Sequence, residues 1–316
     1  MKLEKYFLQI TTLVFIIFST KSNGQISTSN VTEIAKLKNG TTYFAMKDPT
    51  APKATAYAEA IKKFWTISKV ECIKYTDVEK NIAPNNSFVT IGANMTTSNS
   101  STASTDTHIY LEFWTTNGKY TFDPKKRSHF NQEDKISIAT VELFADFFAQ
   151  NNPSSLYKMD YDTAGHFKNW SPSILGNYIQ QVIALLNKAA VRVAKTEFYN
   201  KEELQKLGSQ TLFIPNYILT KFSKNSDDES KKYEEKEITD GTNLSCKIIT
   251  TSELNDKITA ITSPFYYLLF IKTNTDKYIT VTNAQSGEII YSSYSRSATN
   301  FKASDLKEIQ NTIKKK

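Results

Sequence analysis

Apolar positions in this chain fall in two registers, alternating residues and helical stripes, and the same series of them occurs twice. The series opens with Thr42-Tyr-Phe-Ala-Met46 in the first half and Thr211-Leu-Phe-Ile214 in the second, both β-like. A helix is expected next in the first half, from Ala54 to about Trp65. Tyr57, Ile61, Phe64 and Trp65 share one face there. The second half has the polar stretch 223–243 at that place, which reads as a loop or an exposed helix. Strands are expected at Lys69–Tyr75 and at Leu244–Ile249.

The next segments align residue by residue. Tyr75–Ile82 and Thr251–Ile258 each carry a hydroxyl (Thr76, Ser252), an acid (Asp77, Glu253), an aliphatic (Val78, Leu254) and a later isoleucine. This spacing predicts a helix in each half, N-capped by the hydroxyl, with a Thr76–Glu79 capping box. Proline follows in both, Pro84 and Pro264, and then a buried-type strand, 87–95 and 265–273. A hairpin comes next, turning at Asn117-Gly118 or at Ser286-Gly287, residues that tolerate the positive φ of tight turns. A closing helix is expected in each half. Ile138, Val141, Leu143, Phe144, Phe147 and Phe148 would form the apolar face of the first. Leu306, Ile309 and Ile313, capped by Ser304, would form that of the second.

The pattern therefore implies an α/β (α+β) fold of two tandem related modules. Each is a mixed β-sheet with helices in the order β-α-β-α-β-β-β-α. A helical connector joins them: Ser171-Pro172 start a helix, and Ile174, Leu175, Tyr178, Ile179, Val182, Leu185 and Leu186 recur at helical spacing. A shorter helix near Lys201–Leu207 leads into the second module. The boundaries so read are 25–155 for module one, 156–204 for the connector and 205–316 for module two.

The first 24 residues stand apart. Lys2 and Lys5 precede an apolar run from Tyr6 to Phe18, and a small polar segment ends at Gly24-Gln25. That order reads as a secretory signal peptide, 1–24, cut before Gln25. Its core is short of the ~20 apolar residues of a membrane span. No cysteine near the cut offers a lipid-anchoring site, and no second apolar span follows. The expected product is a soluble, exported chain, periplasmic or extracellular.

Composition adds exclusions. The net charge is +7, of which three lysines and Glu4 lie in the signal, leaving about +5 on the mature chain. The charges are interspersed, as in KKYEEKE at 231–237, and only Lys314-Lys315-Lys316 cluster, so no nucleic-acid footprint emerges. Two cysteines, Cys72 and Cys246, do not make a disulfide framework. They sit in corresponding strands, as an inter-module disulfide or as two small buried hydrophobes. Asp160, Asp162 and His166 form a D-x-D…H cluster that could hold a cation, but it lacks the glycine and distal glutamate of a calcium loop. No G-x-S-x-G elbow or phosphate-binding glycine loop is present. The segment 96–107, TTSNSSTASTDT, reads as a loop between strands. Trp65, Trp114, Trp170 and the tyrosines could line a ligand surface or fill the core.

The chain resembles secreted or periplasmic proteins of flavobacteria and their relatives. The carriers are the signal ending in Asn-Gly-Gln, IKKFWTISKVECI at 61–73, LGSQTLFIPNYIL at 207–219 and NAQSGEIIY at 283–291. That resemblance implies no activity. In topology alone each module resembles the anticodon-binding-like domain of periplasmic assembly proteins. It also resembles thioredoxin, with Pro264 before a central strand but without Cys-x-x-Cys. The function expected is a non-enzymatic binding or assembly module of the cell envelope, with an envelope protein or a glycan as partner. The alternative is a hydrolase-type enzyme with a site at the inter-module cleft. No catalytic, cofactor-binding or metal residue is assigned, and no cofactor is expected.

Overall fold

β-branched and aromatic runs pair into two sheets of identical path. A computed structural model describes residues 25–97, 105–120, 122–123, 130–153, 166–193, 197–223, 229–296 and 298–315. The first module holds β1 (Ile26–Thr28), α1 (Ile34–Asn39), β2 (Thr41–Met46), α2 (Thr55–Phe64), β3 (Lys69–Lys74), β4 (Ser87–Thr97), β5 (Thr105–Thr116), β6 (Lys135–Glu142) and α3 (Phe147–Asn151). α4 (Pro172–Asn187) follows. The second module holds β7 (Phe198–Tyr199), α5 (Lys201–Leu207), β8 (Leu212–Pro215), α6 (Glu235–Thr239), β9 (Cys246–Ile249), α7 (Thr251–Thr259), β10 (Tyr266–Lys272), β11 (Asp276–Asn283), β12 (Ile289–Arg296) and α8 (Ala303–Lys314).

The sheets run β1-β6-β5-β4-β2-β3 and β7-β12-β11-β10-β8-β9. In both, the second and third strands of the module and its fourth pair parallel, and the remaining pairings are antiparallel. The molecule is thus a mixed α/β protein of two like modules. The first copy carries one strand and one helix more at its start than the sequence pattern announced, β1 with α1; the second carries one extra strand, β7, before the expected helix Lys201–Leu207, α5. β7 is two residues long and β1 three, too short to show a periodicity.

Two expected helices took other forms, and two others are capped by a different residue. The stretch 75–82 makes two 3-10 turns, Tyr75–Asp77 and Glu79–Asn81, with no side-chain cap. The reason is length. Residues 75–86 separate β3 from β4, whereas 250–265 separate β9 from β10 and leave room for α7. Glu79 accepts the Phe130 N–H instead of closing a capping box. In the second copy the cap is Thr250, not Ser252, in a reciprocal box with Glu253. The stretch around Ile138 and Val141 is strand β6, not a helix. Its run Ile-Ser-Ile-Ala-Thr-Val is β-branched, and β5 on one side and β1 on the other supply its hydrogen bonds. Only Phe147–Asn151 is helical there. Gly118 does adopt the positive φ of +79° expected at the first turn. The chain returns only at Lys135, however, and the Asn117 N–H donates to Asp134 O to close that loop. In the second half the hairpin forms as read, with Gly287 at φ +71°. α8 starts beside Lys302 rather than Ser304, because the Asp305 carboxylate accepts the Lys302 N–H. The polar 223–243 stretch contains the short α6. β4 and β5 extend into the 96–107 segment, whose residues 98–104 lie outside those described.

The register sets one face of the first sheet as core. Ile26, Val141, Leu111 and Ile91 form one row across β1, β6, β5 and β4, and Phe44, Val89 and Phe113 form another. Trp65 meets both Phe44 and Phe113 on this face. The opposite face carries a ladder of stacked rings, Tyr43, Phe88, Trp114 and Phe130. In the second sheet every residue of β10 and β11 is buried, as the continuous apolar run of 265–273 suggests for a strand covered on both faces. A buried ion pair, Lys277 to Asp305 at 2.8 Å, ties β11 to α8.

α4 lies between the modules, and 12 of its 16 residues are buried. Ser171 caps it and Pro172 occupies its first turn, as the sequence implies. Its close packing on α2 depends on Gly176, where a Cβ would stand 2.6 Å from the Phe64 ring. Gly176→Val should therefore cost about 1–3 kcal/mol of stability, read from a denaturant midpoint. Phe64→Ala in the same chain should recover part of that loss by making room for the new methyls.

Candidate functional site at the seam between the modules

The N-terminal half of α4 is joined to the second module by amide side chains. Asn177 donates to Ala284 O at 3.0 Å and to Gln180 Oε1 at 2.7 Å, and it accepts from Tyr267 Oη–H at 2.9 Å. Gln180 donates in turn to Gln285 O. Gln181 accepts the Ile289 N–H one turn further on. Asn255, on α7, accepts from both the backbone N–H and the hydroxyl of Ser173. Gly287 is needed here, since a Cβ would stand 2.6 Å from Asn177 O. These bonds join α4 to α7, to Tyr267 of β10, to the β11–β12 turn and to the start of β12.

These contacts floor a groove of about 420 Å³, within the size range of small-ligand sites. α2 supplies Glu59 and Lys63 to one wall, and α7 supplies Asn255 and Asp256 to the other. Asn177 and Gln180 lie between them. Small side chains, Ala56, Ala60 and Ala284, keep the groove open. Lys63 also sits over the Phe64 ring, 5.0 Å from its centroid.

A second polar contact crosses the seam elsewhere. His108 on β5 places Nδ1 3.0 Å from Glu142 Oε1 of its own module, and Nε2 3.9 Å from Asp276 Oδ2 of the other. Both carboxylate side chains are nearly enclosed, at 9% and 2% exposure. Asp276 also accepts from the Tyr294 hydroxyl. With each ring nitrogen facing a carboxylate, this histidine clamps the modules together and presents no free nitrogen to a nucleophile. Close by, Gln25 donates to Glu142 O and to the Tyr178 hydroxyl, which itself donates to Asn169 O. Burial pushes the Tyr178 hydroxyl well above the usual tyrosine range, so it stays protonated.

The residues singled out by sequence disperse. Asp160 and Asp162 lie outside the described residues. His166 bonds Asp146 at 2.6 Å and stacks on Phe148. Among the described residues no group of three or more His, Cys, Asp or Glu side chains could hold a metal ion. Trp65, Trp114 and Trp170 are all buried, so they fill cores rather than form a platform. Cys72 and Cys246 occupy equivalent edge strands, β3 and β9, and both are free thiols. The groove residues carried no motif. Their one trace in the sequence is polar: Asn177, Gln180 and Gln181 interrupt an otherwise apolar helix.

Two outcomes are expected. His108→Leu should lower stability by about 1–3 kcal/mol, because Glu142 loses its buried partner. Hydrogen exchange should rise around residues 272–276 in that variant. Burial raises the Cys72 thiol and pushes that of Cys246 up to about 11. At pH 8 both should therefore react slowly with a thiol reagent in the native chain and fast in denaturant, with two equivalents consumed. No equivalent consumed in denaturant would mean a disulfide. Among the described residues no helix is long and apolar enough to cross a membrane. Comparison with protein-family models, with curated proteins and with solved structures finds no match to this chain.

Proposed function

We propose that this chain is an exported binding module of the cell envelope and that the seam groove is where it takes its ligand. The observation that carries the reading is the set of amide side chains on α4 and α7. They are held in place by hydrogen bonds to each other and to backbone, so little side-chain freedom remains to be lost on binding. Asn and Gln offer both donors and acceptors but are poor proton-transfer groups at neutral pH. Four amides, Asn177, Gln180, Asn255 and Gln285, stand among the residues that line the groove, where they can orient a ligand by hydrogen bonds. The export reading rests on the n-h-c order of residues 1–24.

One observation favours the enzymatic alternative. Glu59 and Asp256 put a carboxylate on each wall of the groove, and a pair of carboxylates flanking a bound bond is the equipment of acid–base hydrolysis. A direct experiment separates the two. The mature chain, residues 25–316, and its Ala56→Trp variant are mixed with a low-molecular-weight envelope extract, and hydrogen exchange is recorded. The binding reading expects protection of 251–259 and 284–287 in the parent and its loss in the variant, whose indole fills the groove. Turnover in a broad hydrolase panel that disappears with Glu59→Gln or Asp256→Asn would replace the binding module by the enzyme. Protection of neither segment would remove the groove from the account.

A further inference from the structure

We infer that the ligand of the seam groove is a neutral, hydroxyl-rich molecule, a saccharide; this rests on the groove being a binding site and adds the class of compound it takes.

The walls rule out an anion first. α4 points its N-terminus at the groove, and free amides there would attract phosphate or carboxylate. They are not free. Pro172 has no N–H, Ser173 N–H donates to Asn255 Oδ1, Ile174 N–H to Ser171 Oγ and Leu175 N–H to Ser171 O. Two carboxylates and one lysine among the lining residues add a net negative charge, which repels anions further.

The remaining chemistry is that of alternating donors and acceptors on short apolar spacing. Asn255, whose Nδ2 donates to Asp256 Oδ1, lines the groove with Gln285, the carboxylates of Glu59 and Asp256 and the methyls of Ala56, Ala60 and Ala284. Vicinal hydroxyls both donate and accept, so one amide or carboxylate can serve two of them. The C–H face of a pyranose is apolar and flat, and it fits against the alanine methyls and the Phe64, Ile258 and Ile261 side chains that share the lining. A polypeptide ligand would need runs of unpaired backbone groups to match its own. Here the backbone groups nearest the groove, Ala284 O and Gln285 O, already accept from Asn177 and Gln180. A small cation is the remaining competitor, since the two carboxylates suit it.

The test uses the mature chain with four probes: chitobiose and cellobiose as neutral disaccharides, inorganic phosphate as the anion, and spermidine as the cation. Binding is followed by isothermal calorimetry and by NMR shifts. The inference expects one or both disaccharides to bind, with shifts at 177–180, 255–259 and 284–285. Gln285→Ala should weaken that binding about tenfold, the loss of roughly one to two hydrogen bonds. The pair Glu59→Gln and Asp256→Asn should weaken it about tenfold without abolishing it, because neutral amides replace charge-assisted acceptors. Ala56→Trp should abolish it. Binding of spermidine that the paired variant removes would overturn the saccharide and keep the groove. Phosphate binding there would do the same. Failure of all four probes to shift any groove residue would overturn the saccharide, and if the envelope extract also gives no protection the binding module falls with it. An unchanged thermal midpoint for each variant establishes that it is folded.

Discussion

One helix serves two cores. α4 is apolar nearly all round, with 12 of 16 residues buried, and such a helix is stable only when packed on every side. Its Gly176 face meets α2 of the first module, and Asn177 and Gln181 bond the second. Neither module alone covers it. The relative placement of the two sheets follows from this single requirement, because displacing one module would expose a large apolar stripe to water. The groove at the N-terminal end of α4 and the His108 contact between the modules are both products of that placement.

The two copies share strand order and strand direction throughout, yet they cover their sheets differently. In the second, α7 is a full helix and β10 and β11 are buried on both faces. In the first, the corresponding stretch is shorter and collapses to 3-10 turns, and stacked rings cover that face instead. This divergence makes the groove one-sided in origin. α2 has ten residues in the first copy, while its counterpart α6 has five in the second. α7 is well formed only in the second. One wall thus comes from each copy's better-formed helix, and a symmetric duplicate would have two half-grooves instead.

Polar groups at the seam divide into two kinds. His108, Glu142 and Asp276 are enclosed and meet across the seam, so they contribute to the union of the modules. Asn255 and Gln180 are held by hydrogen bonds and line the groove beside Glu59 and Asp256. The half-buried free thiols at both outer edge strands pack as small hydrophobes against the core.

Much of this was legible in the residues themselves. The duplicated order of apolar runs, the Ser171-Pro172 start of α4, the Gly287 turn and the buried character of 265–273 follow from local preferences: capping, positive φ and side-chain period. Failures arose where partners outside the segment decided the outcome. Ile138 and Val141 fit a helical stripe as well as a strand, and only pairing with β1 and β5 selects the strand. Thr76 and Ser252 look like equal caps, yet loop length denies one a helix and Thr250 displaces the other. The groove was invisible for the same reason. Glu59, Asn177, Asn255 and Gln285 are far apart in sequence and unremarkable singly, and they meet only because α4 must be covered from both sides. The chain by itself determined which segments fold and in what order they repeat. The tertiary structure decided which polar groups face each other, since that depends on how two sheets close over one helix.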